Sequence, residues 1–140
     1  MKLTESTSKN LDINKIESLR QSVGWSRRRT NKKWKEILSK SSFVYSIWDK
    51  DKLIGMGRIL EDGVMCMFYD IAVHKDYQNK RIGKKIMKRL IDEVKDKNYT
   101  SIGIFVWDEN SSFLLPFYKR FGFKKTLGME LKKYMPSDNL

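Results

Sequence analysis

FYDIAVHKDYQNKRIGKKIM, residues 68–87, is the stretch whose reading decides the fold. It opens as an apolar strand, crosses a short polar turn, reaches Gly83 and continues as a helix whose first turns carry lysine. Helix N-termini already bear partial positive charge, so acids are the usual residues there. Lys80, Arg81, Lys84 and Lys85 invert that preference. A bound anion resolves the inversion, because unpaired first-turn N–H groups and nearby cations together hold a phosphate or pyrophosphate.

Working outward, Gly83 to Lys97 has the clearest helical period, with Ile86, Met87, Leu90, Ile91 and Val94 on one stripe. Upstream, Phe43 to Trp48 and Leu53 to Leu60 are β-rich runs separated by DKDK, the pattern of an antiparallel hairpin. Gly63 marks a turn before a long strand, Val64 to Val73, whose weak alternation predicts burial on both faces. Downstream, SIGIFV (Ser101 to Val106) predicts another buried strand. Pro116 suits the first turn of a short helix and Gly122 its end, and Thr126 to Tyr134 reads as a returning last strand. Toward the N-terminus, Ile13, Ile16, Leu19 and Val23 predict a helix capped by Asp12 and ended by Gly24. Asn31 to Leu38 predicts a second, and residues 1–10 leave room for a short edge strand. The order implies one mixed α/β sheet with helices on both faces.

Composition bounds the function. A chain of 140 residues, 40% hydrophobic with 17 aromatics, holds a real core and fits one domain over residues 1–140. A single cysteine, Cys66, excludes an internal disulfide framework and a Cys-rich zinc site; it reads as a buried small hydrophobe. A single histidine, His74, removes most His-based metal and triad schemes, so no metal site is expected; the residue reads as a surface histidine. The N-terminus lacks an apolar leader core and no run of 18 apolar residues occurs, which predicts a cytoplasmic protein without a membrane partner. A net charge of +12 predicts attraction to anions. No recognition-helix, RNP-like or zinc-finger pattern accompanies it, so a nucleic-acid partner has only charge in its favour. In SRRRTNKK, residues 26–33, a solvated helix start is favoured over a phosphate-contacting patch.

Neither GxxxxGK[ST] nor GxGxxG is present. The turn instead resembles the acetyl-CoA-binding motif of the GCN5-related N-acetyltransferase (GNAT) family, [Q/R]-x-x-G-x-[G/A]. Here it reads Gln78, Asn79, Lys80, Arg81, Ile82, Gly83, with arginine in place of the first glycine. If that position needs positive φ, arginine carries a penalty of about 1 kcal/mol. PFYKRFGF, Pro116 to Phe123, resembles the family's second signature, and one helix and one strand fit between Gly83 and Tyr118. LRQSVGW (residues 19–25) and LIGMGRI (residues 53–59) are similar to the plant-type arylalkylamine (serotonin) N-acetyltransferase subgroup.

The resemblance implies a mostly antiparallel mixed sheet, splayed between the fourth and fifth strands. The pantetheine arm of acetyl-CoA would lie in the gap, paired with the backbone of Ile71, Ala72 and Val73. The Gln78 to Gly83 turn would lead into a pyrophosphate cradle built from the N–H groups of Asn79 to Lys84. Lys80, Arg81, Lys84 and Lys85 stay open as partners of the 3′-phosphate, and Asn110 lies near a pantetheine-binding position.

The implied reaction is acetyl transfer to a primary amine of a small molecule, by direct attack on the thioester. A protein N-terminus, an aminoglycoside or an aminoacyl-tRNA are alternative acceptors. A non-catalytic basic nucleic-acid-binding module and a coenzyme-binding regulator are alternative functions, and a homodimer is left open. Tyr118 matches the family's general acid for the leaving thiolate, with packing as its structural alternative. Asp70, a charge in an apolar strand, is the candidate base, with a pKa raised by burial. Its alternative is a carboxylate bonded to backbone or to a lysine; Glu61 and Asp62 are weaker base candidates. Trp25, Trp34 and Tyr45 could line an acceptor pocket or simply pack in the core.

Overall fold

The hairpin alternation sends neighbouring side chains to opposite sides of a sheet. Val44 and Leu53 join one core cluster, whereas the adjacent Tyr45 and Ile54 join another. The computed structural model describes residues 2–107 and 110–131. Its elements are β1 (Leu3–Ser6), α1 (Ile13–Ser22), α2 (Asn31–Lys40), β2 (Phe43–Asp49), β3 (Lys52–Glu61), β4 (Met65–Val73), a 3₁₀ turn (Lys75–Tyr77), α3 (Ile82–Val94), β5 (Ser101–Ile104) and α4 (Ser111–Lys119). The strands stand in the order β1-β2-β3-β4-β5. The pairs from β1 to β4 are antiparallel, and β5 runs parallel to β4.

On one face lies α3, burying Ile82, Ile86, Met87, Leu90 and Val94. Complete burial of side chains such as Ile86 and Leu90 contributes about 1.5–3 kcal/mol each. Close approach of this helix depends on Gly57 in β3. A Cβ there would come within 2.9 Å of Leu90 Cδ1 and 3.0 Å of Ile86 Cγ2. On the other face, α1 and α2 bury Ile16, Leu19, Trp34 and Leu38 against Val44, Leu53, Met56 and Ala72. Each of these helices starts on a side-chain cap, Asp12 accepting from the Asn14 N–H and Thr30 from the Lys33 N–H.

The feature that positions the site is a bulge in β4. Met56 pairs with Ala72 and Arg58 with Tyr69, so Gly57 stands opposite two residues, Asp70 and Ile71. Asp70 takes φ +52°, the left-handed region. The extra residue switches the alternation: Phe68 belongs to the core under α3, while Ala72 belongs to the core under α1 and α2.

Four expectations change. Burial of β4 on both faces fails along the strand: Met65 is exposed, and Met67, Tyr69, Asp70, Ile71 and Val73 are only part-buried. The strand after α3 ends at Ile104 and is half-exposed, since among the described residues it has a partner only on the β4 side. Pro116 lies inside α4 and does not open it. Proline loses its own N–H bond and crowds the carbonyl of Ser112 four residues earlier, yet the SSFLL run before it is helical too. Finally, residues 126–131 form no strand, and the remainder of the expected last strand, residues 132–134, lies outside the described residues. No described helix is long and apolar enough to cross a membrane.

Candidate active site

The turn between β4 and α3 has the geometry that the charge inversion implies. Asn79 and Arg81 both take positive φ, +63° and +64°. Arg81 therefore occupies the left-handed conformation that glycine would adopt freely. No side chain caps α3, in contrast to α1 and α2. The first backbone bond into the helix runs from the Lys85 N–H to the Arg81 carbonyl, at 3.1 Å. The earlier N–H groups, those of Ile82, Gly83 and Lys84, are the donors an α-helix leaves over.

The cations divide. Lys85 pairs with Glu5 at 3.2 Å, and Lys80 lies over the Tyr77 ring at 5.6 Å. Arg81 and Lys84 are exposed along a shallow cleft of about 330 Å³ that Lys88 and Arg89 also line. Gln78 turns its amide to the Val73 carbonyl at 3.0 Å, tying the turn to the end of β4. Gly83 admits α4 to this corner, since a Cβ there would sit 3.2 Å from Phe117 Cζ.

Beside the turn, β4 runs on alone. Its register with β5 covers Met65 to Phe68 only, so Tyr69 to Val73 have no partner on the β5 side. Ile71, Ala72 and Val73 lie in this open segment, with Ala72 and Val73 held from the other side by Met56 and Gly55. The sheet is thus splayed between β4 and β5, and the open stretch ends at the uncapped helix.

Asp70 departs from its expected chemistry. Both of its oxygens accept from Arg29 Nη1, at 3.0 and 2.9 Å, and Oδ2 also accepts from Arg58 Nε at 2.7 Å. Burial pushes the carboxyl up, but the two guanidiniums outweigh it and hold the group below the ordinary aspartate range. The raised-pKa base is therefore corrected to an ion-paired carboxylate, a weak proton acceptor. Glu61 and Asp62 fare no better: both tie the turn at the start of β4, with Asp62 lowered by the Met65 and Val64 N–H groups.

Tyr118 is 7% exposed, and loss of water pushes its phenol up to about 12. Phe117 and Phe123 meet its ring edge-on at 5.3 and 6.1 Å. It lines a cavity of about 900 Å³ together with β5 and residues 121–130. Asn110 is exposed at the start of α4 and makes no capping bond there.

Several supporting roles also change. His74 is buried and not a surface residue; its Nδ1 accepts from the Asp76 N–H at 3.2 Å, and burial lowers its pKa. Trp34 and Tyr45 are buried and bonded to Glu17 and Glu5; Trp34 is sealed in the core, and Tyr45 borders the cleft that Arg81 and Lys84 line. Trp25 is half-buried against the Arg20 guanidinium. Cys66 is buried, as a small hydrophobe would be.

The pair missed from the sequence is Arg29 and Arg58. The signal was available: Arg58 interrupts LIGMGRIL as Asp70 interrupts FYDIAV. One charge inside a buried strand implies an opposite charge in a neighbour.

Comparison with known proteins agrees with this geometry. A model of the acetyltransferase (GNAT) domain matches residues 16–134. An uncharacterized N-acetyltransferase, ycf52, of Pyropia yezoensis is 32% identical over 125 residues, spanning 86% of this chain and 69% of that one. A ycf52-like uncharacterized N-acetyltransferase of Prochlorococcus marinus is 35% identical over 100 residues, 68% of this chain and 55% of its own length. In three dimensions, a Staphylococcus aureus protein of unknown function, described as a probable acetyltransferase, superposes with a TM-score of 0.80 at 26% identity, covering 94% of this chain and 99% of that one. These relatives name no arylalkylamine acceptor, and the narrower subgroup likeness is not supported. With the splayed sheet, the left-handed turn and a domain match over most of its length, the chain belongs to the GNAT family of N-acetyltransferases.

Proposed function

We propose that this domain transfers the acetyl group of acetyl-CoA to a primary amine of a small molecule, by direct attack of the amine on the thioester. The observation that carries the reading is the junction of an unpaired strand end, Tyr69 to Val73, with an uncapped helix start at Arg81. A pantetheine arm is a chain of amides, and the open edge of β4 at Ile71, Ala72 and Val73 offers it the pairing that β5 stops supplying after Phe68. The N–H groups from Asn79 to Lys84 suit the pyrophosphate, with Arg81 and Lys84 as the cations least committed elsewhere. Asn110, exposed at the start of α4 with no capping bond of its own, is kept as a further candidate partner of the arm.

In this scheme the neutral amine nitrogen bonds to the acetyl carbon, the carbon–sulfur bond breaks, the nitrogen gives up one proton to solvent, and the thiolate collects one. Tyr118 is the proposed donor. A phenol at about 12 is fully protonated at neutral pH. Complete transfer to an ordinary thiolate, with a reference pKa of about 8.5, would be uphill by about 5 kcal/mol. Tyr118 therefore acts first as a hydrogen-bond donor that stabilises negative charge on sulfur, and proton delivery comes late. Because Asp70 is ion-paired, the amine reaches the thioester neutral by losing its proton to solvent.

Two measurements test the reading. Acetyl-CoA at 100 times its Kd stabilises a binding-competent fold by about 2.7 kcal/mol, seen as a higher melting temperature. Free-CoA release across small amines, amino acids, peptides and aminoglycosides then identifies the acceptor. Absence of both the thermal shift and amine-dependent release would sink the proposal.

A further inference from the structure

We infer that Arg29 and Arg58 form an oxyanion-reading subsite for the acceptor, selecting amines that carry a carboxylate or phosphate close to the amino group. The inference rests on the acetyltransferase reading above and goes on to name the substrate class.

The open segment of β4 has two sides. Ile71 and Val73 face the core under α3, where the coenzyme turn begins, and Ala72 faces the core under α1 and α2. An amine attacking a thioester laid along this strand has the α1–α2 side left to it. That side presents Asp70 with two guanidiniums, an excess of one positive charge.

The donors are only partly used. Arg29 spends Nη1 on Asp70, and no acceptor meets its Nε or Nη2 among the described residues. Its side chain is 31% exposed and stacks on Trp34 with 4.9 Å from guanidinium carbon to ring centroid. Arg58 gives Nε to Asp70 and Nη1 to Ser41 at 3.4 Å, stacks on Tyr69 at 4.8 Å, and leaves Nη2 without an acceptor among the described residues. These unmet nitrogens are not among the sealed polar atoms of the core, which are Glu17 Oε1 and Arg20 Nε. Two planar forks, oriented by aromatic faces and fixed by one shared carboxylate, form an arrangement suited to a second oxyanion. Ammonium-rich acceptors such as polyamines meet the surplus positive charge and are disfavoured.

The test uses the acetyl-CoA- or CoA-bound protein and matched acceptors: an α-amino acid against its amide, and an amino sugar against its phosphate ester. Calorimetric binding and free-CoA release are both expected to favour the oxyanion member by about tenfold or more, as for a charge-assisted contact. Arg29→Gln should collapse that ratio toward one, with Arg29→Lys intermediate, because a point charge replaces the fork. Asp70→Asn should move the ratio the other way, since both guanidiniums lose their resident competitor. A purely structural network predicts instead that all three substitutions weaken both members alike. Equal binding of both members in each pair, or a preference that survives Arg29→Gln, would overturn the inference while leaving the acetyltransferase reading intact. Failure of the protein to bind coenzyme would end the acetyltransferase reading, and this inference with it.

Discussion

Replacing Arg81 by glycine should move stability and coenzyme affinity in opposite directions. Arg81 holds φ +64° and ψ +16° at the entrance of α3. A left-handed non-glycine residue costs about 1–2 kcal/mol, whereas glycine returns about 0.5–1 kcal/mol of that as extra chain entropy lost on folding. The net gain is about 0.5–1 kcal/mol, or roughly 2–4 °C in melting temperature for a domain of this size. The same change removes an exposed cation from the proposed phosphate cradle, worth about 1 kcal/mol or a fivefold weaker Kd for acetyl-CoA. Arg81→Ala separates the effects, because alanine keeps the backbone strain and loses the charge. It should show no thermal gain and the same fivefold loss. Differential scanning calorimetry and equilibrium titration with acetyl-CoA read the two quantities independently. A lower melting temperature for Arg81→Gly than for the parent would refute the strain argument. An unchanged Kd in both variants would show that the cation at this turn does not meet the coenzyme.

Tyr118→Phe removes a hydroxyl with no hydrogen-bond partner among the described residues, so the fold should persist while kcat falls about 100-fold at unchanged coenzyme affinity. Retained turnover would return Tyr118 to a packing role. Gly57→Ala places a methyl 2.9 Å from Leu90 Cδ1, and denaturant titration should show a loss of about 1–3 kcal/mol from overpacking beneath α3. An unchanged midpoint would mean that the helix shifts at no cost. Asp70 has a folded pKa below its unfolded value, so its stabilisation is full above about pH 4 and is lost as pH falls through the lowered folded value. Parent and Asp70→Asn should therefore converge in stability in strong acid and differ at neutral pH; a constant gap would contradict the ion-pair account.

How much of this was readable in the sequence depends on whether a signal was periodic or positional. The α3 stripe, the β2–β3 hairpin and the Asp12 cap are periodic or local, and each stands close to where the residues put it. Boundaries beyond β5 were not legible. SSFLL carries no breaker, so nothing in it marks the helix start that lies before Pro116. The site itself turns on a positional event, the β4 bulge. Strict period-two reading puts Phe68, Asp70 and Ala72 on one face, and there a raised-pKa carboxylate follows naturally. The extra residue breaks that alternation and brings Asp70 to two arginines.

The bulge nevertheless leaves a trace. A glycine in the middle of a strand is a known mark of a bulge or a close backbone approach, and aspartate is among the few side chains that tolerate positive φ. Gly57 and Asp70 supply one of each on neighbouring strands, and Arg58 stands next to the glycine. Read together, they predict an irregular pair that turns a carboxylate toward an arginine. The charge in the strand is then already spent on a partner. It holds the guanidiniums in place, and on the reading proposed above Asp70 is then a positioning residue for acceptor choice, with the proton chemistry left to Tyr118 and solvent.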